Sequence, residues 1–211
     1  MTGMLVDDAI ALVPSIPGRR ALLGMAGAPA AGKSTLARRL VGGVNARLGA
    51  DMAAYVPMDG FHLSNAQLAR LGRAGRKGAP DTFDVDGYVQ LLRRLRSSHE
   101  RPVYVPEFDR RLEEPIAAGL VVLPQVRLIV TEGNYLADDG PGWEAVRDLL
   151  DELWFVDAPQ AVRERRLLRR HIRGGRSEPE AHAFIASSER PNADRVEAAR
   201  ANCNRVVTTR E

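Results

Sequence analysis

The stretch Gly27-Ala-Pro-Ala-Ala-Gly-Lys-Ser34-Thr35 has the spacing G-x-x-x-x-G-K-[ST] and directly follows an apolar run, residues 21–26. Glycine at both ends lets the backbone turn its N–H groups inward around a phosphate. A helix starting at Ser34 aims its positive end at the same point. In that geometry Lys33 reaches the β- and γ-phosphates of ATP and the Ser34 hydroxyl ligates Mg²⁺. Gly27, Ala28, Pro29, Ala30, Ala31, Gly32 and Thr35 complete the expected ATP-binding set. Lys33 and Lys77 are the only lysines in the chain, so a lysine at this position carries weight.

Two acids and a basic run accompany the loop. The apolar stretch Tyr55-Val-Pro-Met58 delivers Asp59 into a glycine turn. A carboxylate at the carboxyl edge of a strand adjacent to the phosphate-loop strand can take the proton of a hydroxyl attacking the γ-phosphate. The segment Arg127-Leu-Ile-Val-Thr-Glu132 ends a second apolar run in an acid, which could hold a Mg²⁺-bound water or orient the acceptor. In residues 165–176, Arg166, Arg169, Arg170, Arg173 and Arg176 could gather on one side of a helix end and neutralise a transferring phosphoryl group. Each has a plain structural alternative: an Asp-Gly turn, an acid closing a strand, a solvated helix face.

Elements that position these residues follow from periodicity and breakers. Strands are expected at residues 21–26, 53–58, 126–131, 153–156 and 205–208, with shorter extended runs at 103–105 and 119–123. Helices are expected at about 4–13, 34–48, 84–98, 143–150, 159–173, 178–189 and 193–201, with a short one starting at Ser64. Residues 72–82, rich in glycine and basic side chains, read as a flexible loop, and residues 105–111 as a charged turn. Apolar strands alternating with helices imply an α/β fold with a parallel sheet covered on both faces. One domain over residues 1–211 is expected, with a lid at about 165–178.

The chain of 211 residues is 45% hydrophobic and 27% charged, ordinary for a water-exposed globular fold. Its apolar stretches are too short and too broken to span a membrane, and the acidic N-terminus is unlike a signal peptide, so a cytoplasmic protein is expected. A single cysteine, Cys203, excludes an internal disulfide and a thiolate-rich zinc site. The net charge is only +3, and no aromatic side chain interrupts residues 163–176, so nucleic acid is not an expected partner. The guanine-specifying N-K-x-D sequence is missing. The D-x-x-G at Asp84-Val-Asp-Gly87 falls where a helix cap belongs. Such a chain is too short for a motor or a ring ATPase, which leaves a small kinase ahead of a non-catalytic ATP-binding regulator.

Taken together, the motif set resembles the superfamily of uridine kinase, phosphoribulokinase and bacterial pantothenate kinase. It is most similar to the short nucleoside/nucleotide-kinase-like or fructose-transport-system kinases. The residues that carry this are Gly27 to Ser34, Pro57-Met-Asp-Gly-Phe-His62, Arg76-Lys-Gly-Ala-Pro-Asp-Thr-Phe-Asp84, Pro102-Val-Tyr104, Val130-Thr-Glu-Gly-Asn134 and Arg190-Pro-Asn192. The resemblance implies a P-loop three-layer sandwich with an arginine-bearing lid. It also implies Asp59 as general base, Lys33 and Ser34 on Mg²⁺–ATP, Glu132 near the metal, and lid arginines at the phosphates, Arg169 together with Arg173 or Arg176. The acceptor implied is a hydroxyl of a small polar metabolite: a sugar, a nucleoside or a pantothenate-like chain. Asp59, His62, Lys77, Tyr104, Glu107, Arg110, Asn134 and Asn192 are its expected contacts, although Val105-Pro106 departs from the pantothenate kinase pattern, where a histidine follows the tyrosine. A homodimer stays open.

Overall fold

A computed structural model describes residues 2–14, 19–97 and 100–209 of the chain. It begins with α1 (Thr2–Ala11), β1 (Ala21–Ala26), α2 (Lys33–Leu48) and β2 (Ala53–Pro57). Next come α3 (Asn65–Arg70), α4 (Val85–Ser97), β3 (Val103–Asp109), β4 (Glu114–Val122) and β5 (Leu128–Glu132). The last part comprises α5 (Trp143–Arg147), β6 (Glu152–Asp157), α6 (Gln160–Arg173), α7 (Glu178–Phe184), α8 (Arg190–Ala198) and β7 (Arg205–Thr208). The expected end of α4 at residue 98 lies outside the described residues.

Five strands form a parallel sheet in the order β2-β5-β1-β6-β7. All six residues of β1 are buried, as a central parallel strand covered on both faces requires. Alternate side chains go to opposite sides. Leu22 and Ala26 join Ile129 and Phe155 in one core, under Tyr88 and Leu92 of α4, Val146 of α5 and Val196 of α8. Leu23 and Met25 join Val130 and Trp154 in the other, under Leu5, Val6 and Ala9 of α1 and Leu36, Leu40 and Val44 of α2. A Cβ at Gly43 would stand 2.6 Å from the Val6 side chain, so glycine allows α1 to lie close against α2. At the far edge from the phosphate loop, buried Arg20 donates to the carbonyls of Leu95, Leu123 and Val126, tying three connections together. None of the helices among the described residues is long and apolar enough to cross a membrane.

Several local expectations are corrected. The extended runs near 103 and 119 are longer than expected, and pair as an antiparallel hairpin, β3–β4, separate from the main sheet. Pro106 lies inside β3, where the register shifts between Val105 and Glu107, so its missing N–H falls at an irregularity. The supposed flexible loop at 72–82 is instead two 3₁₀ turns. They are held by Arg73 on the Asp81 carbonyl (2.7 Å), by the Arg76–Asp81 pair and by Tyr135 Oη on the Gly78 carbonyl (2.6 Å). The expected helices 178–189 and 193–201 are one continuous helical stretch in which Ile185–Glu189 widens to π geometry between α7 and α8. Pro191 explains the widening: it has no N–H to donate, and its ring would clash with the carbonyl one turn back.

Candidate active site

The phosphate loop, residues 27–32, joins β1 to α2. Gly27 has φ 149°, and a Cβ there would come within 2.3 Å of the Val156 carbonyl oxygen, so only glycine lets the loop pass β6. Gly32 takes φ 98° as the residue before α2. From the other side Thr209 Oγ1 donates to the Ala31 carbonyl (2.8 Å). Lys33, only 7% exposed, donates its ammonium to the carbonyls of Gly27 (2.8 Å) and Ala28 (3.1 Å) and to Asn134 Oδ1 (2.7 Å). Burial pulls its pKa down to about 8, against the opposing pull of Glu132 and Asp59.

The two acids lie at the carboxyl edge of the sheet, but in a different order from that expected. β5, not β2, is the strand beside β1, and Glu132 stands in register with Met25 on one side and Pro57 on the other. Asp59 belongs to the next strand out, beyond the end of β2, in the 3₁₀ turn Met58–Phe61. Burial, and then the charge of Asp59, push the Glu132 carboxyl upward; Lys33, Tyr55 and Ser34 work against that rise. Tyr55 donates its hydroxyl to Glu132 Oε1 at 2.6 Å. Its phenol is raised above the ordinary range by burial and by that neighbour. The Arg38 guanidinium lies 4.2 Å from the Tyr55 ring centre and pairs with Glu107 of β3 at 3.6 Å. Sequence reasoning assigned Tyr55 no role; its only signal was an aromatic hydroxyl two residues before the end of a strand leading to an acid.

Around Asp59 the hairpin closes in. A Cβ on Gly60 would meet the Pro106 carbonyl oxygen at 2.3 Å, so the Asp59 turn is pressed directly onto β3. Asp59 Oδ2 accepts from Arg110 Nη2 at 3.0 Å. Its carbonyl accepts from the backbone N–H of His62 and from His62 Nδ1 at 2.8 Å, which fixes Nδ1 as the protonated nitrogen. The His62 ring sits between Phe83 (4.1 Å) and Phe108 (4.8 Å), and burial lowers its pKa, so it is neutral. Lys77 donates to Asn65 Oδ1 (2.7 Å) and to the Glu113 carbonyl, and its ammonium stands 5.1 Å from the Phe108 ring centre.

α6 supplies the arginines. Arg166, Arg169, Arg170 and Arg173 line a pocket of about 350 Å³, and Arg166 donates to the Ala30 carbonyl of the phosphate loop (3.0 Å). Arg170 also reaches Glu189 (2.9 Å) in the π segment. Burial alone would raise the Glu189 pKa, but the His171 hydrogen bond and the Arg170 charge outweigh it and hold the carboxylate ionised. Arg176, expected at the phosphates, instead donates to His171 Nδ1 (2.6 Å) and stacks on Phe184 (4.0 Å).

Of the expected acceptor contacts, the structure gathers His62, Lys77 and Arg110 around Phe108 next to Asp59. Asn134 sits instead on Lys33, and Glu107 pairs with Arg38. Tyr104 is turned outward on β3 and 62% exposed, and Asn192 lies on α8, half-buried beyond the π segment. Thr35 is exposed in the first turn of α2. Among the described residues no group of three or more His, Cys, Asp or Glu could hold a metal alone. The nearby donors, the Ser34 hydroxyl and the buried Glu132 carboxylate, are few and hard. That suits an ion such as Mg²⁺, which keeps water and phosphate oxygens in its shell.

A buried lysine held on neutral oxygens, two carboxylates along the same sheet edge and an arginine wall touching the loop are side chains of the kind phosphoryl transfer uses. The sheet order sets them on a P-loop fold. No family model matches the chain. It is 34% identical over 161 residues, 74% of this chain and 68% of the relative, to a Schizosaccharomyces pombe protein provisionally named a uridine kinase. An uncharacterised Escherichia coli protein, YggC, is 34% identical over 182 residues, 85% of this chain and 74% of its own length. The structure of a Silicibacter protein, provisionally named a fructose transport system kinase, superposes with a TM-score of 0.89 at 34% identity, covering 98% of both chains. The chain belongs to this uridine-kinase-like family of P-loop kinases, and it is a small-molecule kinase.

Proposed function

We propose that the protein transfers the γ-phosphate of ATP to a hydroxyl of a small polar metabolite such as a sugar, a nucleoside or a pantothenate-like alcohol. Asp59 acts as general base. The observation that carries this reading is the placement of Lys33 after the phosphate loop, Glu132 at the end of β5 and Asp59 just past β2, all at the carboxyl edge of one sheet. The acceptor oxygen attacks phosphorus as the bond to the β–γ bridging oxygen breaks. Asp59 takes the hydroxyl proton, and the leaving oxygen departs with ADP.

Lys33 exchanges its carbonyl and Asn134 partners for β- and γ-phosphate oxygens, so its charge follows the electrons released in the reaction. Arg169 and Arg173 do the same from the lid, with Arg166 and Arg170 on the same wall. Ser34 and Glu132 are the residues that would hold Mg²⁺, which would supply neutralisation of phosphate charge when bound. The test is acceptor-dependent ADP release across sugars, nucleosides and vitamin precursors. Tight ATP binding with no acceptor raising ADP release above the rate with water would refute the reading.

Tyr55 has a positioning role in this scheme, because it fixes one oxygen of Glu132 and leaves the other for the metal side. Tyr55→Phe keeps the ring under Arg38 but removes that bond. It is expected to raise the Mg²⁺ concentration for half-maximal activity by about 10- to 100-fold, the usual size of such outer-contact losses. An unchanged Mg²⁺ titration with a lowered kcat would instead mean that Tyr55 serves packing.

A further inference from the structure

One oxygen of Asp59 is already taken: Arg110 donates to Oδ2 at 3.0 Å. A hydroxyl that approaches Asp59 at Oδ2 must displace that donor, so a productive acceptor draws Arg110 away. Three other acids near the hairpin tip already have partners. Asp109 accepts from the backbone N–H groups of Arg111 and Leu112, Glu114 from that of Asn65, and Glu107 pairs with Arg38.

Arg110 is not the only cation there. Its guanidinium carbon lies 5.9 Å from the Phe108 ring centre, and Lys77 Nζ lies 5.1 Å from the same centre. That ring packs on His62, whose Nδ1 is bound to the Asp59 carbonyl. Both hydrogen-bond partners of Lys77 are uncharged oxygens, of Asn65 and of the Glu113 backbone. The Glu113 and Glu114 carboxylates act on it only at longer range. Two cations thus stand against one aromatic ring, one of them paired with the Asp59 carboxylate. The side chain of Arg110 is 58% exposed and sits just past the end of β3, so it can swing without disturbing a core.

We infer that the acceptor is an anionic alcohol. Its carboxylate or phosphate is bound between Arg110 and Lys77, and drawing Arg110 onto that anion releases Asp59 to receive the hydroxyl proton. A neutral alcohol leaves the Arg110–Asp59 pair intact, and the protein then discriminates against it in kcat as well as in binding. This rests on the reading of Asp59 as the general base and names the class of acceptor that the same site takes.

The experiment compares matched pairs in the ADP-release assay: gluconate with sorbitol, fructose 6-phosphate with fructose, and uridine 5′-monophosphate with uridine. Each is run with the wild type and with Arg110→Gln, Arg110→Lys and Lys77→Gln. In at least one pair the charged member is expected to exceed its neutral partner by about 100-fold or more in kcat/KM, and the carboxylate and phosphate arms report which anion is taken. Arg110→Gln should lower kcat/KM for that member by at least about tenfold, as loss of a charge-assisted hydrogen bond does. The loss on the neutral partner should be smaller, so that the preference within the pair narrows. Arg110→Lys should restore most of the charged acceptor's rate.

A neutral member that equals its charged partner, an equal loss on both members of a pair in Arg110→Gln, or turnover of no charged member would each overturn the inference. Failure of the underlying reading looks different. If Asp59→Asn left turnover of the charged acceptor within tenfold while the Arg110 effects persisted, the base assignment would fall and the anion site would stand.

Discussion

Replacing Asp59 by asparagine is expected to lower kcat for the best acceptor by 10²- to 10⁴-fold, the range over which a positioned general base contributes. ATP affinity should change by no more than about threefold, because the proposed nucleotide contacts, the loop, Lys33 and the α6 arginines, do not include Asp59. The substitution is nearly isosteric, and the structure gives reasons to expect an intact fold. The main-chain carbonyl that receives both His62 bonds stays in place, and the new amide oxygen can still accept from Arg110. Packing of the turn on β3 depends on Gly60 rather than on the acid. Loss of the carboxylate charge also removes one of the influences that raise Glu132, so the metal side is eased rather than harmed. Thermal unfolding and ATP titration separate the outcomes. A variant that binds ATP normally, unfolds like the wild type and transfers phosphate at more than a tenth of the wild-type rate would make Asp59 a turn residue. Selective loss of kcat is the signature of proton transfer.

The parts of the site legible in the sequence were those set by short-range spacing. The phosphate-loop motif is nine consecutive residues, 27–35, whose backbone conformation requires glycine at two of them, so its position and the identity of Lys33 follow from local chemistry alone. Asp59 and Glu132 were legible as strand-end acids because buried parallel strands read as apolar runs. Their relative placement was not legible. Strand order depends on which crossover packs where, and nothing in residues 53–59 says that β5 will come between β2 and β1. The lid shows the same limit. A helical run of arginines says that several share a face, but the partner of each depends on α7 and the π segment, which turn Arg176 onto His171 and leave Arg166 on the loop. The hairpin was the least legible element. Pro106 and a run of charges masked β3, yet β3 and its tip supply Phe108, Arg110 and the backing for Gly60, and so build one wall beside Asp59.

Lys33 gives the other large expected effect. Lys33→Met keeps an unbranched apolar stem in a position that is already buried, and removes the charge. Two changes in stability oppose each other. The folded state no longer carries a desolvated ammonium, while the Gly27 and Ala28 carbonyls lose their donor. The catalytic loss has no such compensation. The loop carbonyls hold the ammonium at the phosphate site until phosphate oxygens replace them, and kcat is expected to fall on the order of 10²- to 10³-fold, the loss seen when a single donor to a developing charge is removed. ATP affinity should fall less, by about tenfold or under, since the loop N–H groups and the arginine wall remain.

The same variant decides what Asn134 does. The sequence places Asn134 among the acceptor contacts, whereas the structure has it accepting from Lys33 Nζ at 2.7 Å. If it acts by holding the lysine, Asn134→Ala will slow the wild type but add less than about twofold to Lys33→Met, because residues that share one interaction are not additive. If Asn134 touches the acceptor independently, its effect on KM will be the same in both backgrounds. The double-mutant cycle, read in kcat and KM separately, distinguishes a residue that aims the lysine from one that binds the alcohol.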